Sequence, residues 1–355
     1  MIHFETVLKR SKILNPLKGF KEDAITYEYR RDPLTGRNTT VIKGMIDYIS
    51  KFLSTDENLL NSLIEKTSIG CPFCPEKVMN LTPMFTEDFC KEGRIRVGNA
   101  VVVPNLLGHA ERSAVVVISK EHHLKLDEFS PISILDGLKG GLEYVRRLNE
   151  VDPSIRFPTF VFNYLPPAGS SIFHPHMQVL VRDRPFYLTN LFLERSKAFQ
   201  EVNGLNYWHE LVRVEKPGER YLFEKDGVDW LVPFAPLRGL NEVQAIVRGR
   251  SNFLELDDSE WLGIAEGIST ILRFYNGQGY VSFNAFIMSG PIDEHLDYFS
   301  VNLRMMSRPG IQQSGFTDAW ALPYFLWDGE APEEPEVLAG KIRAFCKEDK
   351  KHTLW

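Results

Sequence analysis

The chain has 355 residues, 43% of them hydrophobic, and a formal net charge of -6. That length predicts about two domains, and the apolar content is enough for a sizeable core. The mild acidity argues against a nucleic-acid backbone as the main partner, because such a backbone calls for a basic surface, but it leaves room for a small nucleotide.

Residues 1–21 mix charged and apolar side chains and do not resemble a secretion signal. No run of about 18 apolar residues is present, so no membrane span is expected and the chain reads as cytoplasmic.

The first chemically informative segment is Cys71-Pro72-Phe73-Cys74. The chain has four cysteines, too few for a disulfide scaffold. In a reducing compartment a C-x-x-C pair predicts a metal site or a redox couple. No thioredoxin-like pattern surrounds it, which favours metal. No second C-x-x-C follows, so the remaining ligands must be histidines brought in by the fold. His122 and His174 lead, and His123 is the alternative to His122.

Residues 101–104 and 114–118 read as strands. Apolar residues three and four apart over 132–148 predict a helix. A strand carrying Phe162-Asn163 follows, then the turn-rich Pro166-Pro167-Ala168-Gly169-Ser170-Ser171. A Gly-Ser-Ser turn presents backbone N–H groups and hydroxyls suited to a phosphate. The last strand of this half, 174–185, opens with His174-Pro175-His176-Met177-Gln178. Alternation puts His174, His176 and Gln178 on one face, with Met177 and Val179 on the other, facing a core. Pro175 lacks an N–H and belongs at a strand start or edge.

The second half repeats the first. Trp230-Leu231-Val232-Pro233 matches Val101-Val102-Val103-Pro104, and residues 243–247 match 114–118. Residues 252–258 match 122–128, the helical stretch 261–275 matches 132–148, and Phe283-Asn284 matches Phe162-Asn163. Residues 298–309 match 174–185, with Tyr298, Ser300 and Asn302 in the places of His174, His176 and Gln178. An ordered series of matches marks a duplication, with one active site in the first copy. The predicted fold class is α+β, with two halves that are each an antiparallel sheet with packed helices. The division falls at 1–190 and 191–355.

The chain resembles the galactose-1-phosphate uridylyltransferases, the transferase branch of the histidine-triad superfamily. The resemblance rests on Asn163-x5-Gly169-x-Ser171-x2-His174-Pro175-His176-x-Gln178. Arg31-Asp32-Pro33-Leu34-Thr35-Gly36, the Cys71–Cys74 pair and His122 with Leu126 and Glu128 support it. It implies two tandem histidine-triad-like halves and favours His122 over His123 as a ligand. It further implies structural Zn2+ on Cys71, Cys74, His122 and His174.

In this reading His176 is the nucleophile, oriented by the His174 carbonyl, and forms a covalent nucleotidyl intermediate. Gln178, where hydrolases of the superfamily carry histidine, points to transfer. Ser171, Ser170, Gly169 and Asn163 would contact phosphate or substrate, and Asn99 the nucleotide. The substrates would be a nucleoside diphosphate compound and a phosphate-bearing acceptor, and a homodimer is expected. Uridylyl transfer between a UDP-sugar and a hexose 1-phosphate is the leading expectation. Adenylyl transfer, with ADP-sugar, adenylylsulfate or a dinucleoside polyphosphate, is the alternative. An inactive, zinc-stabilised nucleotide-binding protein is the third reading.

Overall fold

The structure, a computed structural model, describes residues 2–237 and 240–352. The chain opens with a long exposed hairpin, β1 (Glu5–Asn15) and β2 (Lys21–Arg31), followed by β3 (Asn38–Ile42). Three helices come next: α1 (Met45–Ile49), α2 (Glu57–Ser68) and α3 (Pro75–Leu81). The first repeat contains β4 (Ile95–Val97), β5 (Ala100–Pro104), β6 (Arg112–Val117), α4 (Pro131–Val151), β7 (Phe157–Tyr164) and β8 (His176–Arg182). Helices α5 (Tyr187–Asn203) and α6 (Tyr207–Glu215) lead into the second repeat, and α5 runs through residue 190. That repeat contains β9 (Tyr221–Lys225), β10 (Val228–Leu231), β11 (Val243–Val247), α7 (Asp258–Gly277), β12 (Ser282–Met288) and β13 (Asn302–Arg308). The short β14 (Gly329–Ala331) and α8 (Pro335–His352) follow.

The architecture is α+β, but the two halves do not keep separate sheets. Their strands form one ten-stranded antiparallel sheet in the order β4-β5-β6-β8-β7-β12-β13-β11-β10-β9. The seam is the pairing of β7 with β12, running from Thr159 opposite Met288 to Tyr164 opposite Phe283. The cause is an edge problem. Each half alone would leave an unpaired apolar strand, and pairing the two edges satisfies both backbones. A second sheet, β1-β2-β3-β14, includes a parallel pair between β3 and β14 that ties the C-terminal region to the N-terminal one.

Helix α4 begins at Ser130, whose hydroxyl accepts the Ser133 N–H, with Pro131 at the first helical position. It turns Ile134, Leu138, Leu142 and Val145 onto one face of the sheet, against Val102, Val116, Met177 and Val179. Burying each such side chain contributes about 1.5–3 kcal/mol. The approach is close: a Cβ on Gly137 would lie 2.5 Å from Ile118 Cγ2. Helix α7, opened by a capping box between Asp257 and Glu260, covers the second half on the same face.

The opposite face differs between the halves. Over β5, β6 and β8 sit the Cys71–Cys74 segment and α3. Over β10 and β11 sit α5 and α6, with Phe192, Trp208, Leu211 and Phe299 fully or nearly fully buried. The second copy is thus covered over β10 and β11, while a cavity of about 450 Å³ lined by Leu188, Leu191, Asn284, Phe286, Arg304 and Met306 remains beside β12 and β13.

The strand registers do not carry one constant offset between the copies. Matched through β6 and β11, Arg304 stands for Gln178, whereas matched through Asn163 and Asn284, Met306 stands for His176. On either count β13 holds no histidine.

Candidate active site

Strand β8 lies between β6 and β7, and His176 is its first residue, opposite Val117. Pro175 stands just before it, where its missing N–H costs the ladder little. His176 is 8% exposed and His174 fully buried. Met177 and Val179 enter the helix-side core, as the alternation predicts. His176 Nδ1 is 2.7 Å from the His174 carbonyl oxygen. A carbonyl only accepts, so Nδ1 carries the hydrogen and Nε2 keeps its lone pair. Burial pushes the His176 pKa below its ordinary value, against a smaller opposing effect from that hydrogen bond. That shift favours the neutral ring, the form a nucleophilic imidazole needs.

Beside it Cys71, Cys74, His122 and His174 converge, one ligand atom from each lying within 4.8 Å of all the others. Cys74 Sγ is 3.7 Å from His122 Nδ1 and 3.8 Å from His174 Nδ1. A tetrahedral zinc with ordinary Zn–S and Zn–N bonds would separate S and N by about 3.5 Å. Both imidazoles are held in the matching tautomer. His174 Nε2 donates to the Ser119 carbonyl, 2.9 Å away. His122 Nε2 lies 3.0 Å from Thr67 Oγ1, whose own hydrogen goes to the Leu63 carbonyl. In each ring Nδ1 is left free toward the sulfurs.

Burial and the neighbouring Cys71 push the Cys74 thiol up to about 11. Two thiolates this close need a cation to ionise together, so the donor set fits a divalent metal. His123, the alternative ligand, instead packs its ring against Tyr164.

Phe73, inside the C-x-x-C segment, sets its ring against His176, centroids 5.2 Å apart. The segment ends where α3 begins, with Cys74 as its N-cap and Pro75 next. The four-residue Cys/His cluster and the His176 imidazole are thus joined through one turn and one aromatic ring.

The residues of the loop 165–171 differ in their surroundings. Leu165 has φ +65°, a conformation costing a non-glycine residue about 1–3 kcal/mol. Its side chain is buried and its carbonyl accepts from both Ala168 and Ser170 N–H, which holds it there. Gly169 follows at φ +83°, suited to glycine. Ser170 is buried and gives its hydroxyl hydrogen to the Ile172 carbonyl. Ser171 is exposed, so its hydroxyl and not that of Ser170 is open to a ligand.

Gln178 is half-buried on the His176 face, opposite Val161 of β7. Asn163, two residues beyond Val161, shares that face and adjoins His176. Asn99 sits in the β4–β5 turn at the same end of the sheet as His176, two strands away and two residues beyond Val101, which shares the row of His176. It is exposed, and its N–H bonds Asp136 Oδ2.

Three contributors escaped the sequence reading. Thr67 and the Ser119 carbonyl hold the cluster imidazoles. Asn284 hydrogen-bonds Asn163 across the seam. The only advance signal was the match of Phe283-Asn284 to Phe162-Asn163.

An uncharacterized protein of Archaeoglobus fulgidus is 31% identical to this chain over 344 residues, 96% of this chain and 98% of that protein. No protein-family model matches the chain. Among solved structures it is similar to an ADP-glucose phosphorylase from Arabidopsis thaliana with bound ADP-glucose. The TM-score is 0.68 and the identity 19%, over 89% of this chain and 98% of that one. A GalT-like protein from Arabidopsis thaliana gives 0.66 and 18%, over 89% and 98%. A uridylyltransferase gives 0.63 and 18%, over 90% and 98%.

Proposed function

Because the chain belongs to one family with the Archaeoglobus fulgidus protein and has the galactose-1-phosphate uridylyltransferase-like fold of the histidine-triad superfamily, we propose that it is a nucleotidyltransferase acting through His176. The observation that carries this is the buried imidazole whose Nδ1 is tied to the His174 carbonyl, which leaves Nε2 as the nitrogen available for attack.

Nε2 attacks the α-phosphorus of a nucleoside diphosphate compound. A P–N bond forms, the bridging P–O bond breaks, and its electron pair leaves on the departing phosphate. The attack gives the imidazole positive character, which the His174 carbonyl dipole at Nδ1–H stabilises. A phosphate oxygen of the acceptor then attacks, the P–N bond breaks, and His176 is restored. Gln178 and Ser171 donate hydrogen bonds to phosphoryl oxygens, Asn163 supplies a further amide, and Gly169 lets the loop approach. Asn99 lies at the nucleotide end. Glutamine has no titrating proton to activate water, which favours transfer over hydrolysis.

Cys71, Cys74, His122 and His174 would hold zinc in a closed four-ligand shell, which crosslinks the C-x-x-C segment to the start of β8. The bound metal supplies rigidity; the phosphoryl chemistry is left to His176.

The donor in this reading is a nucleotide sugar. Uridylyl exchange with a hexose 1-phosphate is the first form. Adenylyl transfer to inorganic phosphate is the second, supported by the likeness to an ADP-glucose phosphorylase over nearly all of that chain. The protein would work as a cytoplasmic homodimer; no helix among the described residues is long and apolar enough to cross a membrane.

The test is to incubate the protein with UDP-glucose or ADP-glucose carrying labelled α-phosphate, without acceptor. Acid-labile, base-stable label on the protein, absent from His176→Ala, is expected. Label persisting in His176→Ala, or none in the wild type with either donor, would sink the proposal.

A further inference from the structure

Strand β13 of the second half carries no histidine, yet one residue of that half reaches the site of the first. Asn284 on β12 faces Asn163 on β7 directly across the seam. Asn284 Nδ2 lies 2.5 Å from Asn163 Oδ1 and 2.8 Å from the Ala168 carbonyl oxygen. Asn284 Oδ1 lies 3.0 Å from Arg308 Nη1, and another guanidinium nitrogen of Arg308 is paired with Asp318.

These partners admit one orientation of the Asn284 amide. A guanidinium has only donors, so the group facing Arg308 must be the amide oxygen. A peptide carbonyl has only lone pairs, so the group facing Ala168 must be the NH2. The second N–H of that NH2 then requires the oxygen of Asn163. Asn163 is left with its oxygen toward β12 and its NH2 turned away from β12, toward β8 and His176. No hydrogen bond among the described residues uses that NH2.

We propose that Asn284, fixed by Arg308, is a positioning residue that sets the amide orientation of Asn163, so that its NH2 donates to the anionic phosphoryl group under transfer. The same amide anchors the Ala168 carbonyl, next to Gly169, so a single side chain of the second half positions both the donor and the phosphate loop. This rests on the proposed role of Asn163 and extends it to the catalytically silent half.

The test uses the full chain and the donor and acceptor pair that the wild type turns over, ADP-glucose with inorganic phosphate or UDP-glucose with galactose 1-phosphate. Asn284→Asp keeps the shape and the contact to Arg308 but has no N–H to give. Asn163 must then turn its NH2 toward the new carboxylate and away from the substrate. Loss of a hydrogen bond to a charged group lowers kcat by about tenfold or more. Asn284→Ala leaves Asn163 free to take either orientation and should cost less. Because the effect passes through Asn163, it disappears in an Asn163→Ala background, where adding Asn284→Asp changes kcat by less than about twofold. A merely structural role would persist in that background.

Wild-type kcat in Asn284→Asp, or an undiminished loss in the Asn163→Ala background, overturns the inference while leaving the role of Asn163 standing. Full activity in Asn163→Ala alone refutes the role of Asn163 beneath it.

Discussion

Thr67 on α2 offers a sharp test of how the metal cluster is held. Its hydroxyl donates to the Leu63 carbonyl at 2.7 Å and lies 3.0 Å from His122 Nε2. With its one hydrogen committed, Thr67 can only accept from His122. That fixes the tautomer and leaves Nδ1 as the ligand atom. Thr67→Val keeps the shape and branching, and with them the helix propensity, but removes the acceptor. An unpaired buried N–H costs about 1–3 kcal/mol. His122 is only half-buried, so water recovers part of this and a loss near the lower bound is expected. About 1.4 kcal/mol is tenfold in an equilibrium constant, so zinc should bind about tenfold more weakly, at the low end of the effect of removing an outer partner of a metal ligand. Competition against a chromophoric chelator reads this directly, and Thr67→Ser should restore the wild-type value. If Thr67→Val bound zinc with wild-type affinity while its circular dichroism matched the parent, the tautomer lock would be wrong.

Two further outcomes are expected. A Cβ on Gly267 would lie 2.1 Å from the ring of the fully buried Trp230, so Gly267→Ala should cost about 1–3 kcal/mol. Gly340→Ala on α8, where nothing lies within 4 Å, should not destabilise; a thermal melt of Gly267→Ala at or above the parent Tm would contradict the packing. The third concerns pH. Burial pushes the Glu336 carboxyl up, but hydrogen bonds and charge from Arg30, then Arg220, outweigh it and hold the pKa down to about 2, from an ordinary 4.5. A depressed carboxyl stabilises the fold above its unfolded value and loses that contribution as pH falls through its folded value. Stability should therefore drop between 4.5 and about 2, and Tm against pH in Glu336→Gln should be flatter across that window. Equal slopes would remove Glu336 as the cause.

The parts of this molecule legible in its sequence are those encoded at short range. Alternation along 174–180 assigned the faces of His176, Gln178 and Met177 because a strand has no other way to arrange them. The C-x-x-C spacing named half of the cluster, and the shortage of further cysteines pointed to histidines for the rest. The repeat predicted the succession of strands and helix along each half. What stayed hidden depends on groups far apart in the chain. Nothing in the local pattern of Thr67 distinguishes it from a helix-surface threonine until His122 is folded against it. The merging of two sheets into one depends on two strand edges, each ordinary by itself. The choice between Ser170 and Ser171 depends on Leu165 holding an unfavourable backbone angle, which the sequence Leu-Pro-Pro does not announce.

The seam between β7 and β12 has a consequence for how the chain could be divided. Every residue proposed to ligate metal, attack or bind phosphate lies before residue 183, so a fragment ending there would hold the full proposed set of reagents. It would also expose the edge of β7, with the backbone of Thr159 to Tyr164 open to any passing strand. Asn163 would be free to swing and the loop at Ala168 would lose its outside tether. Such a fragment would aggregate before it catalysed. On this reading the second copy carries none of the reacting groups, yet it is the jig in which the first is clamped, through strand edges and one amide.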